Sequence, residues 1–123
     1  MKKILKFLVA AVAAVFVATS LAGCAEPEQV VVEDYAMVID VRTPDEFKGG
    51  HLEGAERIGI ADSDFIARID ALDKSADYYI YCRSGNRAGQ AIDAMRDLGF
   101  TGELVNGGSV GNASAQTGLA VVK

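Results

Sequence analysis

Short apolar runs alternate with helical patterns along this chain of 123 residues, and the alternation constrains the fold more than any other feature. Residues 36–41 and 77–81 combine β-branched, aromatic and other apolar side chains, which predicts two buried strands. Residues 56–60 predict a weak strand, and residues 100–105 predict a further strand. Strands separated by helices are typical of a parallel sheet, so we predict an α/β fold with helices on both faces of the sheet.

The segment after the first predicted strand carries a strong helix-start signal. Thr43 is followed by Pro44 and, three residues after the threonine, by Glu46, which is the pattern of a capping box with proline in the first turn. The glycines at residues 49–50 predict the end of this short helix.

Two further helices are predicted downstream. Ser63 is expected to cap a helix over residues 64–72, where apolar side chains recur at helical spacing. Residues 88–98 show the same spacing, and Gly99 is expected to end that helix. The tail from residue 109 onward is rich in small residues and too weakly patterned to predict an element.

The first 23 residues differ from the rest of the chain. Lys2, Lys3 and Lys6 form a basic start, and residues 7–18 form an unbroken apolar run of 12 residues. This arrangement is typical of a secretory signal, and the run is short for a membrane-spanning helix, which needs about 20 residues. We therefore predict a cleavable signal peptide over residues 1–23 and an exported protein.

The sequence Leu-Ala-Gly-Cys that ends this leader resembles the lipobox of bacterial lipoproteins. The resemblance implies cleavage before Cys24, lipid on its sulfur, and a membrane anchor at the periplasmic or extracellular face. An ordinary signal peptide with an incidental cysteine is the alternative. Residues 24–30 are short and polar and predict a tether, which leaves residues 31–123 as one domain.

The charge balance excludes some classes of partner. Without the three lysines of the leader, 9 of the 12 basic residues remain against 17 acidic ones, a net charge of −8. Nucleic acid would be repelled, so an anion site requires local positive charge, for which Arg83 and Arg87 are the candidates. If Cys24 carries lipid, Cys82 has no disulfide partner in the chain. One cysteine and one histidine fall short of the usual metal ligand sets, and we predict no metal and no cofactor.

Cys82 lies between a predicted strand and a predicted helix, which is where ligands gather in parallel α/β sheets. Free backbone N–H groups at the start of a helix, together with Arg83 and Arg87, favour a thiolate and lower the pKa of a cysteine. Gly85 allows the backbone to turn tightly there. The loop is therefore predicted to hold Cys82 as a nucleophile beneath an anionic substrate. Alternatively, Cys82 is a small apolar residue at the end of a strand.

Three stretches resemble rhodanese-domain sulfurtransferases. The sequence CRSGNR, residues 82–87, is similar to their active-site loop, residues 38–55 to their first signature, and residues 98–108 to their closing strand and double-glycine turn. The resemblance covers most of the domain and implies a rhodanese-like fold, as in the small exported type.

This resemblance also implies a reaction and its residues. The Cys82 thiolate would take the outer sulfur of thiosulfate, release sulfite, and pass the sulfur from a persulfide to cyanide, a thiol or a protein cysteine. The donor would be bound by the rest of the loop, which consists of Arg83, Ser84, Gly85, Asn86 and Arg87. Asp40, Arg42 and His51 match family positions that support the site. From their separation in sequence, Arg42 is expected to pair with Glu46.

Two other functions are considered. Cysteine phosphatases use a similar loop but resemble a Cys-x5-Arg pattern, whereas Cys82 and Arg87 are separated by four residues. The domain is alternatively a carrier that holds one persulfide, or a module that binds a partner at the membrane. Two departures from the family pattern concern packing near the site: Gly59 stands where many relatives have proline, and no aromatic residue follows Gly108.

Overall fold

The computed structural model describes residues 28–123. The predicted signal peptide and the lipidation site Cys24 lie outside the described residues, so signal cleavage, lipidation and export stay predictions. Within residues 28–123, none of the helices has the length and apolar character needed to cross a bilayer.

Six strands, four α-helices and a short 3-10 turn at Val32–Asp34 make up the described part of the chain. The strands are β1 (Met37–Asp40), β2 (His51–Leu52), β3 (Glu56–Arg57), β4 (Tyr78–Tyr81), β5 (Leu104–Asn106) and β6 (Val121–Val122). The helices are α1 (Pro44–Gly49), α2 (Phe65–Asp70), α3 (Asn86–Asp97) and α4 (Val110–Thr117).

The main sheet has the order β3-β1-β4-β5, and all its pairings are parallel. The register places Asp40 opposite Tyr81 and Ile80 opposite both Ile39 and Asn106. Strands β2 and β6 form a separate antiparallel pair. The predicted α/β fold with a parallel sheet is confirmed, and the carboxyl ends of its strands meet at one edge.

Two apolar clusters cover the two faces of the sheet. Successive side chains of a strand point to opposite faces, so Ile80 belongs to one cluster and Tyr79 and Tyr81 to the other. Helices α2 and α3 pack on the Ile80 face, whereas α4 and strand β2 pack on the tyrosine face. Burial of this kind contributes about 25 cal/mol for each Å² of apolar surface removed from water.

Several sequence predictions of local structure are wrong in detail. Ser63 does not cap α2, because the helix begins one residue later, with Asp64 at the cap and no side-chain cap bond. Strand β5 starts at Leu104 rather than at residue 100, since Phe100 is buried under the Ile80 face instead. The tail is ordered: Ser109 caps α4 by accepting a hydrogen bond from the backbone N–H of Asn112.

Candidate active site

The edge of the sheet brings the predicted site residues together. Cys82 directly follows β4, and its backbone N–H donates to Gly108 O at 2.9 Å across the neighbouring turn. Gly85 caps α3 in the left-handed region, with φ of 93°, which glycine adopts without steric cost. The chain therefore reverses around the sulfur of Cys82 before it enters α3.

Backbone N–H groups surround the Cys82 sulfur. Gly85 N–H donates to Sγ at 2.9 Å. Burial is the largest single influence and raises the pKa of the Cys82 thiol. Hydrogen bonds from the backbone N–H groups of Ala88, Ser84, Gly85 and Arg87 outweigh burial and hold this pKa below its ordinary value. The loop thus stabilises a thiolate, which is the nucleophilic form of cysteine.

The Cys82 side chain is also closed off from solvent. Its exposed fraction is 0%, and it belongs to the same apolar cluster as Val41 and Ile58. The sulfur therefore has apolar neighbours in the core and polar N–H groups in the loop. A donor reaches it only when the loop or the side chain moves.

Arg87 links the loop to helix α1. Its guanidinium donates to both carboxylate oxygens of Glu46, at 2.7 and 2.9 Å. The Arg87 bonds, aided by hydrogen bonds from Thr43, lower the pKa of Glu46 to about 2 against the opposing effect of burial. The predicted partner of Glu46 was Arg42, and that prediction is wrong: the backbone brings Arg87 to it from 41 residues away.

Arg42 instead forms a buried ion pair with Asp40. Its Nη2–H group donates to Asp40 Oδ2 at 2.7 Å and to Gly50 O at 2.7 Å. Asp40 Oδ1 also accepts from the backbone N–H of Arg42 at 2.9 Å. Both side chains are nearly inaccessible, so the pair ties the end of β1 to the end of α1.

His51 is held against the same helix. Its Nδ1 lies 2.8 Å from Phe47 O, and because a carbonyl oxygen only accepts, Nδ1 carries the proton. Its ring stacks on the Phe47 ring, with 3.6 Å between centroids and 8° between planes. Asp40, Arg42 and His51 therefore lie in contacts that hold α1 against the end of β1 and the start of β2.

The remaining loop residues face solvent. Arg83, Ser84 and Asn86 are exposed. Arg83 forms no salt bridge with any residue in the range 28–123, in contrast to Arg87. Among those same residues, no group of three or more His, Cys, Asp or Glu side chains is placed to hold a metal ion.

The comparisons with known proteins agree with this geometry. The family model described as the rhodanese-like domain matches residues 26–113, which is more than half of the chain. The chain belongs to the rhodanese-like family.

The relatives of this rhodanese-like chain include a sulfurtransferase. Protein YqhL of Bacillus subtilis is 38% identical over 71 residues, which cover 58% of this chain and 54% of YqhL. Thiosulfate sulfurtransferase PspE of Escherichia coli is 30% identical over 63 residues, 51% of this chain and 61% of PspE. The chain thus matches less than two thirds of either relative. A solved rhodanese structure with anions from E. coli is 26% identical with a TM-score of 0.58, covering 71% of this chain and 96% of that one.

The role of Asn106 in this rhodanese-like site was missed in the sequence, whereas Gly59 was noted there as a departure from the family pattern. Asn106 ends β5 and bonds to both the Cys82 loop and the double-glycine turn. Gly59 lies where a side chain would collide with Arg57 and with Asp62 Oδ1, the partners of a salt bridge of 2.9 Å. The lack of a side chain at Gly59 therefore leaves room for this ion pair, which a proline ring would displace. The Asn-Gly-Gly run marked a turn, but no local pattern showed which loop Asn106 would contact.

Proposed function

We propose that this protein is a sulfurtransferase that moves a sulfane sulfur from a thiosulfate-type donor to a thiophilic acceptor through a persulfide on Cys82. The observation that carries the proposal is the hydrogen bond of 2.9 Å from Gly85 N–H to Cys82 Sγ, within a loop whose other amides also favour the thiolate. Membership of the rhodanese-like family and the similarity to PspE support the same reaction.

The first step exchanges one sulfur–sulfur bond for another, the second breaks the persulfide bond as the bond to the acceptor forms, and neither needs an external oxidant. The Cys82 thiolate attacks the outer sulfur of thiosulfate, and the bond between the two thiosulfate sulfurs breaks with its electron pair on the departing sulfite. The acceptor then attacks the outer persulfide sulfur, and the electron pair returns to Cys82 as thiolate. Because the persulfide is also an anion, the N–H groups that stabilise the thiolate also suit the intermediate.

The two loop arginines have different tasks in this proposal. Arg83 is exposed and unengaged by any salt bridge within residues 28–123, so it is placed to hold the sulfonate end of the donor. Arg87 is committed to Glu46 and fixes the loop. This arrangement also disfavours a phosphatase, in which the loop arginine has to hold the phosphoryl group.

The closure of Cys82 favours one second candidate, a carrier whose sulfur leaves only to a docked partner. A residue with 0% exposure is reached by a donor or an acceptor only after the site opens. A carrier would load one sulfur and then stop without its partner, whereas an enzyme turns over with thiosulfate and cyanide alone.

We further propose that the protein is exported and held by lipid on Cys24. The basic start, the apolar run and the lipobox-like end of the leader support this location. Metabolic labelling with a fatty acid should mark the chain, and Cys24→Ser should abolish the label. Labelling that survives this substitution would contradict the anchor site.

The function is tested by mass spectrometry of the chain after incubation with thiosulfate. A gain of about 32 Da on the Cys82 peptide, removed by cyanide, is the mass of one sulfur atom and marks the persulfide. Cys82→Ser should fold normally, yet gain no sulfur and produce no thiocyanate. Hydrolysis of an aryl phosphate, measured in parallel, tests the phosphatase. Thiocyanate production by Cys82→Ser at the rate of the unmodified protein would overturn the assignment.

A further inference from the structure

Asn106 closes a ring of four hydrogen bonds around the candidate nucleophile. Cys82 N–H donates to Gly108 O at 2.9 Å, and Gly108 N–H donates to Asn106 Oδ1 at 3.0 Å. Asn106 Nδ2–H donates to Gly85 O at 2.9 Å, and Gly85 N–H returns to Cys82 Sγ at 2.9 Å. Asn106 is thus the one side chain in the ring besides that of Cys82.

The chemistry of the partners fixes which way the Asn106 amide points. Gly108 offers an N–H donor and therefore faces the amide oxygen, whereas Gly85 offers a carbonyl acceptor and faces the amide nitrogen. Asn106→Asp keeps the bond from Gly108 N–H and loses the bond to Gly85 O, because a carboxylate has no N–H to donate. Asn106→Ala loses both hydrogen bonds.

Asn106 connects the Cys82 loop to the main sheet. Its backbone belongs to β5 and lies in register with Ile80 in the main sheet. Gly85, in contrast, lies outside the sheet, in the loop that precedes α3. The bond from Asn106 to Gly85 O therefore holds in place the residue whose N–H meets the sulfur.

We propose that Asn106 is a positioning residue that holds the Gly85 N–H on the Cys82 sulfur, without touching donor or acceptor. Without the Asn106 side chain, Gly85 N–H spends less time on the sulfur and the thiolate loses part of its stabilisation. The catalytic consequence, a slower first transfer at neutral pH, rests on the proposed function. The effect on the thiol itself does not.

The test is the pH dependence of alkylation of Cys82 by iodoacetamide in the full chain, with the Cys82 peptide quantified by mass spectrometry. Asn106→Ala should move the midpoint upward and slow alkylation about fivefold below the midpoint, the equivalent of one lost hydrogen bond. Asn106→Asp should move it further, because it adds a negative charge beside Gly85 O. The midpoint of the pH profile is compared, rather than the absolute alkylation rate, because opening of the loop changes that rate by the same factor at every pH.

Asn112→Ala is the matched control. Asn112 donates to Gly107 O at 2.8 Å in the same turn but makes no bond to Gly85, so its loss should leave the midpoint unchanged. A general loosening of the turn would instead lower the melting temperature in both variants and move neither midpoint. If Asn106→Ala does not fold, Asn106→Leu, which removes both bonds without adding a charge and keeps a similar side-chain volume, decides the question.

An unchanged midpoint in the folded Asn106 variant, or an equal change in Asn112→Ala, overturns the proposal. The persulfide assay is separate from this measurement. A chain that never gains sulfur from thiosulfate but shows the displaced midpoint would contradict the proposed function and leave the role of Asn106 intact.

Discussion

The ion pair between Glu46 and Arg87 makes a prediction about stability that depends on pH. Glu46→Gln removes the negative charge while it preserves the shape of the side chain. Glutamine also serves in a capping box, so the hydrogen bonds that Glu46 makes with Thr43 can persist. The substitution therefore removes the charge that Arg87 meets at 2.7 and 2.9 Å, together with one of the two oxygens that accept from it.

The expected loss follows from the lowered pKa of Glu46. A fall from 4.5 to about 2 would amount to about 3 kcal/mol if the pair were shielded from water. The side chains of Arg87 and Glu46 are 30% and 27% exposed, and solvent screening reduces the value. We expect Glu46→Gln to lower the free energy of unfolding by about 1–2 kcal/mol at neutral pH.

The sign of the pH dependence follows from the direction of the change. A carboxylate whose folded pKa is lowered contributes stability that is fully present above its unfolded value of 4.5 and is lost as the pH falls towards about 2. The difference between the unmodified protein and Glu46→Gln should therefore be full at about pH 7, shrink below about pH 4.5, and nearly vanish near pH 2.

Urea unfolding followed by circular dichroism at a series of pH values measures this difference. Asp45→Asn is the matched control, because Asp45 is an exposed acid in the same first turn of α1. Its loss should cost only about 0.3–0.5 kcal/mol through the helix dipole. The reasoning fails if both variants lose the same free energy, or if the Glu46→Gln difference stays constant down to pH 2.

Three further substitutions test other contacts of the site. Arg83→Ala should raise the KM for thiosulfate about tenfold with little change in kcat, since its proposed bond to the donor is worth about 1.4 kcal/mol; an unchanged KM would exclude Arg83 as the donor site. Arg42→Met should cost about 3–5 kcal/mol in urea unfolding, because it leaves the buried Asp40 charge unpaired; a loss below 1 kcal/mol would argue against this pair as a structural tie. Gly85→Ala should cost about 1 kcal/mol or more and raise the alkylation midpoint of Cys82, because alanine is strained at φ of 93°; an unchanged midpoint would contradict the role of this turn.

The main strands and helices along the chain, and the turn after Cys82, could be predicted from the sequence because their signals are local. The capping box at Thr43 and Glu46 appears as predicted, with both reciprocal hydrogen bonds present. Cys82 at the end of a strand and Gly85 before a helix also follow from neighbouring residues. Local patterns of this kind are decided within one turn or one strand.

The contacts that connect distant segments were not predictable from spacing. Arg42 was expected to pair with Glu46 because the two are four residues apart. Arg42 instead pairs with Asp40 at the buried end of β1, and Glu46 pairs with Arg87 of α3. Helix α4 was missed because small residues dominate it and Ala113 is its single buried side chain. Its position depends on the tyrosine face of the sheet, which no nearby residue encodes.

The placement of Asn106 before Gly107 has a consequence for how the protein ages. Asn-Gly pairs are chemically labile: the glycine nitrogen attacks the side-chain carbonyl carbon and expels ammonia, and water then opens the resulting succinimide ring to aspartate or isoaspartate. In the fold, the Gly107 nitrogen donates to Ile80 O at 2.7 Å, and the asparagine amide is held at both ends. The native structure thus protects the Asn106 amide, whereas long storage in denaturant would deamidate it. Chains refolded afterwards would regain their secondary structure but carry a damaged sulfur site.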